Sequence, residues 1–161
     1  MKKLLLLLTL AAIAITLRGA DHLEIRGQIK QYSPKASLNI FDPTYTSVNM
    51  RILDDAIQDH FGMMRRYSAL KDENKLFDCD DYAFTFKAIV SCYGSMLGSN
   101  YECGVITVKQ EEAFGGIPAG GYHALNIILI DGVMNVLEPQ TYEFTPLSEY
   151  PNRKHIYDLI L

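Results

Sequence analysis

Three residue types that together make a nucleophilic system stand in order along the chain. Cys79 lies in "KLFDCDDYAFTFKAIVSCYG", residues 75 to 94. His123 follows the glycine-rich "EEAFGGIPAGGYH", and Glu138 opens "EPQ" at the end of an apolar run. A thiol can attack a carbonyl while a histidine takes its proton and later returns it. A carboxylate beside the histidine fixes its tautomer and stabilises the imidazolium. Such a thiol works as thiolate and favours positive surroundings. Cys79 instead has Asp78, Asp80 and Asp81 around it, and bare carboxylates raise a neighbouring thiol pKa.

The elements that must hold these groups can be read from spacing. Asp78 is a good helix N-cap. Cys79, Tyr82, Ala83, Phe86 and Val90 then share one helical face, with Gly94 as the expected end. Cys79 thus opens a core helix at its positive pole. Further on, "HALNIILIDGVMNVLEPQ" is the strongest hairpin signal in the chain, turning on Asp131-Gly132. A tight turn there sets Ile130 opposite Val133, Leu125 opposite Glu138 and His123 opposite Gln140. Side chains alternate faces along a strand, so His123 and Glu138 become diagonal neighbours on one face. Asn126 points to the other face.

The rest of the chain is less specific. Residues 22–32, "HLEIRGQIKQY", alternate apolar and polar, which predicts a half-buried strand or an extended segment. Residues 33–47 read as loop, and a helix is expected after Ser47 as N-cap. A strand is expected over about 101–108, and "HIYDLIL" reads as the last strand. His22, His60 and His155 read as structural. The "GGIPAGG" run reads as either a flap over the site or a plain loop.

At 161 residues, 48% hydrophobic and 21% charged, the chain suits one globular domain. Residues 1–20 resemble a secretory signal peptide, two lysines followed by an apolar stretch. Residues 21–161 are then the domain. A secreted or periplasmic location is expected, with an uncleaved membrane anchor as the alternative. The leader holds three basic and no acidic residues, leaving 12 basic against 19 acidic residues, a net charge of −7. That acidic balance argues against nucleic acid. There is no zinc-type spacing, phosphate loop or dinucleotide fingerprint.

Three cysteines remain, Cys79, Cys92 and Cys103. On one helix, Cys79 and Cys92 would stand about 20 Å apart, too far for a disulfide, which needs Cα atoms within ~7 Å. Cys92 with Cys103 is the feasible pair, leaving Cys79 free. Three reduced cysteines filling small core spaces are the alternative.

"DCDDYA", "GYHALN" and "LEPQT", taken in order over residues 76–142, resemble the papain-like and transglutaminase-like cysteine protease superfamily. More narrowly they resemble the papain-like C-terminal domain of the Marasmius oreades agglutinin and its relatives. The resemblance implies an α+β papain-like fold, with N-terminal helices and the nucleophile helix packed on an antiparallel sheet. It implies Cys79 as nucleophile, His123 as base and acid and Glu138 as orienting acid. It also implies Asp80, Asp81 and Gln140 as candidates for a metal environment. Hard oxygen donors suit calcium, or manganese, and a bound cation would reverse the effect of the aspartates on the thiol. Acidic residues are common at helix starts without any metal. Asn74 is the nearest amide for an oxyanion hole.

The function expected on this reading is a secreted, calcium-activated cysteine protease acting on protein or peptide. A cell-wall peptide amidase or endopeptidase, or a transglutaminase-like acyltransferase, would use the same groups. The non-enzymatic alternative is a secreted metal-binding module in which Cys79 is inert.

Overall fold

The computed structural model describes residues 19–69 and 78–161. Asn74 and all of the expected leader except Gly19 and Ala20 lie outside the described residues. Ala20 and Asp21 form β1, a short strand pairing antiparallel with β3 (Thr44–Tyr45). Ala20 is buried there.

The expected strand over 22–32 is a helix, α1 (His22–Tyr32). Asp21 decides the matter: its carboxylate accepts from the backbone N–H of Leu23 and Glu24, both at 2.8 Å, as a helix cap does. Ile25 and Ile29, four apart, are the buried pair, while Leu23 is exposed. Their spacing fits a helical stripe as well as an alternation, and the cap selects the helix.

The next helix, α2 (Met50–Ala69), starts two residues later than expected. Its first turn is held by Asn49, whose Oδ1 accepts from Ile52 N–H at 3.0 Å. Ser47 has another role: its hydroxyl accepts from Gly132 N–H at 2.8 Å and so fastens the hairpin turn. Helix α3 (Cys79–Leu97) begins at Asp78, as expected, but runs on through Gly94 to Leu97.

Six strands form the main sheet: β2 (Ser37–Asn39), β4 (Cys103–Lys109), β5 (Tyr122–Ile130), β6 (Val133–Leu137), β7 (Phe144–Pro146) and β8 (Ile156–Ile160). Their order is β2-β8-β4-β5-β6-β7. The sheet is mixed, not antiparallel as expected, because β2 runs parallel to β8. The hairpin register is the expected one, with Ile130 opposite Val133 and Asn126 opposite Leu137. Asp131 and Gly132 both adopt positive φ, 46° and 82°, the two left-handed residues such a turn demands.

The two faces of the sheet build two cores. On one, Leu125, Ile127 and Leu129 pack with Ile25 and Ile29 of α1 and with Tyr150. On the other, Ile128 and Ile130 pack with Leu53 and Ala56 of α2 and Phe86 and Val90 of α3. Among the described residues no helix is long and apolar enough to cross a membrane.

Candidate functional site

His123 and Glu138 meet as their register requires. The imidazole Nε2 lies 2.5 Å from Glu138 Oε2, and both side chains are buried. The other carboxylate oxygen accepts from the backbone N–H of Gln140 at 2.9 Å. Backbone bonds from Glu138 N–H to Glu143 and from Tyr142 N–H to Glu138 close the loop after β6. Every oxygen of this buried carboxylate is therefore engaged, which is the condition for burying one at modest cost.

The glycine-rich segment packs against this pair and is pinned in place. Thr141 donates to Gly115 carbonyl at 2.9 Å. A side chain at Gly115 would come within 2.6 Å of Glu138 Cβ and Cγ, and its φ is +61°, so only glycine fits without strain. Gln110, buried, donates to the carbonyls of Ile117 and Pro118. Asn152 accepts from Glu111 and Glu112 N–H and donates to Glu112 carbonyl. Of the two readings of "GGIPAGG", this tethering favours the plain loop. Gln110 and Asn152 were missed in the sequence; nothing local distinguishes a loop-fastening amide from a solvated one.

Cys79 is the first residue of α3, half-buried and reduced. It packs against Ala83, Val105 and Ala124. Ala124 lies on the α3 side of the sheet, whereas alternation along β5 turns His123 the other way. Among the described residues His123 is hydrogen-bonded to Glu138, and no hydrogen bond joins it to Cys79.

The aspartates beside Cys79 are occupied locally. Asp81 accepts from Asp78 N–H at 3.2 Å, closing the first turn of α3. A hydrogen bond with the Asp78 carboxyl, more than burial, pushes the Asp80 carboxyl above its ordinary pKa. Ligand atoms of Asp78, Cys79 and Asp80 lie within 4.8 Å of one another. Asp81 falls outside that group, and Gln140 is exposed. Of the two aspartates implied for a metal, Asp80 lies in it. The group holds a thiol among exposed carboxylates, a donor set softer than the all-oxygen one that calcium prefers.

The Cys92–Cys103 bridge does not form; all three cysteines are free. Cys92 is exposed on the outer side of α3, and Cys103 is buried at the start of β4, where its thiol is pushed up to about 12 by burial. Lys87 spans the gap instead, donating to Cys103 carbonyl at 2.9 Å.

Two buried polar groups stand out on the α2 and α3 side. Asn126 donates to the carbonyls of Ala83 and Gly104 at 2.9 and 3.1 Å, tying α3 to β4. His60 is wholly buried, with ring nitrogens against Tyr142 hydroxyl and Tyr82 carbonyl at 2.9 and 3.1 Å. Burial pulls its pKa down to about 4, so it is a neutral packing residue, as its place on the helix stripe suggested. His22 lies against Pro43 carbonyl and His155 against Glu111.

No protein-family model and no curated protein matches the chain. Solved structures share its fold. One is the Polyporus squamosus lectin in a PSL1a–E64 complex, with TM-score 0.63 and 16% identity, covering 89% of this chain and 50% of that one. Another is the Polyporus squamosus lectin bound to the human-type influenza-binding epitope Neu5Acα2-6Galβ1-4GlcNAc, with TM-score 0.61 and 16% identity, covering 89% and 49%. The chain thus spans about half the length of those lectin chains.

These matches correct the expectations drawn from the motifs. The papain-like fold assignment is not supported: the described residues form a six-stranded mixed sheet with a small second sheet and three α-helices, and the solved neighbours are lectins. The expected cysteine protease, and with it the amide hydrolase or acyltransferase alternatives, is not supported for the same reason. The order of Cys79, His123 and Glu138 carried the enzyme reading, but order along a chain does not specify what a fold does. What stands of the resemblance is a fold shared with part of a lectin.

Proposed function

We propose that the protein is a non-catalytic carbohydrate-binding module. The observation that carries this reading is the fold shared over 89% of the chain with a lectin solved in complex with a glycan. The His123–Glu138 pair supports it: Glu138 takes up the imidazole Nε2 with one oxygen and the Gln140 N–H with the other, so the pair fastens the loop after β6. The leader-like residues 1–20 suit an exported module.

The test is a glycan array probed with this chain itself, since it spans half of the lectin chains. Saturable binding to a defined glycan class, retained after Cys79→Ser, is the expected result. Absence of binding to every glycan on the array would overturn the reading.

A further inference from the structure

We infer that His60 and Tyr142 form an acid-sensitive catch that holds the loop after β6 closed. The two residues meet on the α2 and α3 side of the sheet, yet Tyr142 belongs to the loop that also carries Glu138. The catch stands whatever the molecule binds.

The tautomer of His60 follows from its partners. Nε2 lies 3.1 Å from the Tyr82 carbonyl oxygen, which only accepts, so Nε2 carries the hydrogen. Nδ1, 2.9 Å from the Tyr142 hydroxyl, is then the acceptor, and Tyr142 donates. Burial pushes the Tyr142 pKa up to about 12, so the phenol keeps the proton it donates. The imidazole is wholly buried, and the rings of Tyr82, Phe86 and Tyr142 meet it edge-on, with centroids 6.0, 5.4 and 5.7 Å away.

Tyr142 is the strained partner. Its φ is +63°, and among the described non-glycine residues only Asp131 of the hairpin turn shares that sign. A bulky side chain keeps a left-handed backbone only where its surroundings impose one. Two bonds impose it here, the hydroxyl bond to His60 and the bond from Tyr142 N–H to the Glu138 carbonyl at 2.7 Å. The residues just before Tyr142 fasten the rest. Gln140 N–H donates to the Glu138 carboxylate, and the Thr141 hydroxyl to the Gly115 carbonyl, both at 2.9 Å. Tyr142 therefore anchors a loop that reaches from Glu138 to the glycine-rich segment.

Acid acts on this arrangement at His60. A second proton would sit on Nδ1, where Tyr142 now donates, and would set a charge among aromatic rings. The titratable groups that face the imidazole are the phenols of Tyr82 and Tyr142, and neither can neutralise a cation as a carboxylate would. Asp59, next to His60 on α2, is exposed and accepts from the Tyr93 hydroxyl at 2.7 Å. Tyr142 is half-buried on a loop, whereas Tyr82 and Phe86 are held in a helix, so the loop yields first. Once in water the imidazole regains its ordinary pKa of 6.5, against about 4 in the closed loop. The open form thus takes up the proton at higher pH, and opening gains as pH falls from 6.5 to 4 and then levels.

The experiment is hydrogen–deuterium exchange of the full chain, read by mass spectrometry at pH 7 and pH 4.5 and corrected for the intrinsic effect of pH. Wild type is compared with His60→Gln and Tyr142→Gly. Peptides covering 138–143 and 112–118 of the wild type are expected to exchange about tenfold or more faster at pH 4.5 than at pH 7. Those covering β5 are expected to keep their rate. His60→Gln removes the titrating group, and Tyr142→Gly removes both the ring and the strain, so each abolishes the acceleration. Circular dichroism checks the fold of each variant; if His60→Gln does not fold, Tyr142→Gly decides. Equal corrected exchange at the two pH values in wild type, or an acceleration that survives in a folded variant, would overturn the catch. An equal acceleration in β5 would mean global unfolding and would overturn it as well.

Discussion

Two glutamates are wholly buried among the described residues, and their surroundings could not differ more. Glu138 has one oxygen on His123 and the other on Gln140 N–H. Glu102, just before β4, has neither oxygen hydrogen-bonded. Burial, and secondarily the charge of Glu24, pushes its pKa up to about 8, so at neutral pH it is largely protonated. An ionised carboxylate without partners is too costly to keep dry, and the group neutralises instead. The contrast separates a built pair from a tolerated acid. At Glu138 the backbone, a histidine and a glycine are all arranged around the carboxylate. At Glu102 the backbone makes its own bonds, with N–H to Thr46 carbonyl and its carbonyl to Leu129 N–H, and the side chain is carried along.

Removing Glu138 should have the largest effect. Glu138→Ala leaves His123 and Gln140 N–H without their acceptor and should cost about 2–5 kcal/mol, read from the midpoint of urea unfolding at pH 7. A loss near zero would mean that the pair is as dispensable as Glu102.

Glu102 should act in the opposite direction and with pH. Its folded pKa of about 8 lies above the ordinary 4.5, so between those values the folded state holds a proton that the unfolded chain has released. Stability therefore falls as pH rises from about 4.5 to about 8 and then levels. Glu102→Gln should flatten that slope and leave the protein more stable at pH 8, by an amount on the order of a few kcal/mol. Unfolding curves from pH 4 to 9 would show it, and parallel slopes in variant and wild type would contradict it.

Gly115→Ala tests how tightly the Glu138 side is built. With φ at +61° and a contact of 2.6 Å to Glu138, it should cost more than about 1 kcal/mol. Gly98→Ala separates strain from contact, because Gly98 has φ of +65° but open space around it. A larger loss at Gly115 than at Gly98 is expected in thermal melts.

The smallest effect belongs to a residue outside both regions. Cys92 is exposed and unbridged, so Cys92→Ser should change stability by less than about 0.5 kcal/mol. Dithiothreitol should likewise leave the melting temperature of the wild type unchanged; a drop of several degrees would reveal a disulfide.

The hairpin and the His123–Glu138 contact were legible because a two-residue turn and the pleat are local rules. Once Asp131-Gly132 is recognised, the register follows without tertiary information. The helix at 22–32 was misread because Ile25 and Ile29 suit either period, and the deciding signal was Asp21 rather than the hydrophobic pattern. The parallel pairing of β2 with β8 joins residues more than a hundred positions apart and leaves no local trace. Glu102 resembles any surface acid in sequence. The motifs around Cys79 and His123 pointed to an enzyme because their types and order match a nucleophilic system; type and order do not report that Cys79 packs against Ala124 while His123 faces the opposite side.

The measurement that bears most directly on the account is calorimetric titration of the wild-type chain with Neu5Acα2-6Galβ1-4GlcNAc, run beside incubation with an unfolded protein in calcium. The account predicts a saturable heat of binding, unchanged in Cys79→Ser, and no new peptide termini. No heat, together with peptide termini that accumulate with time and vanish in Cys79→Ser, would contradict it.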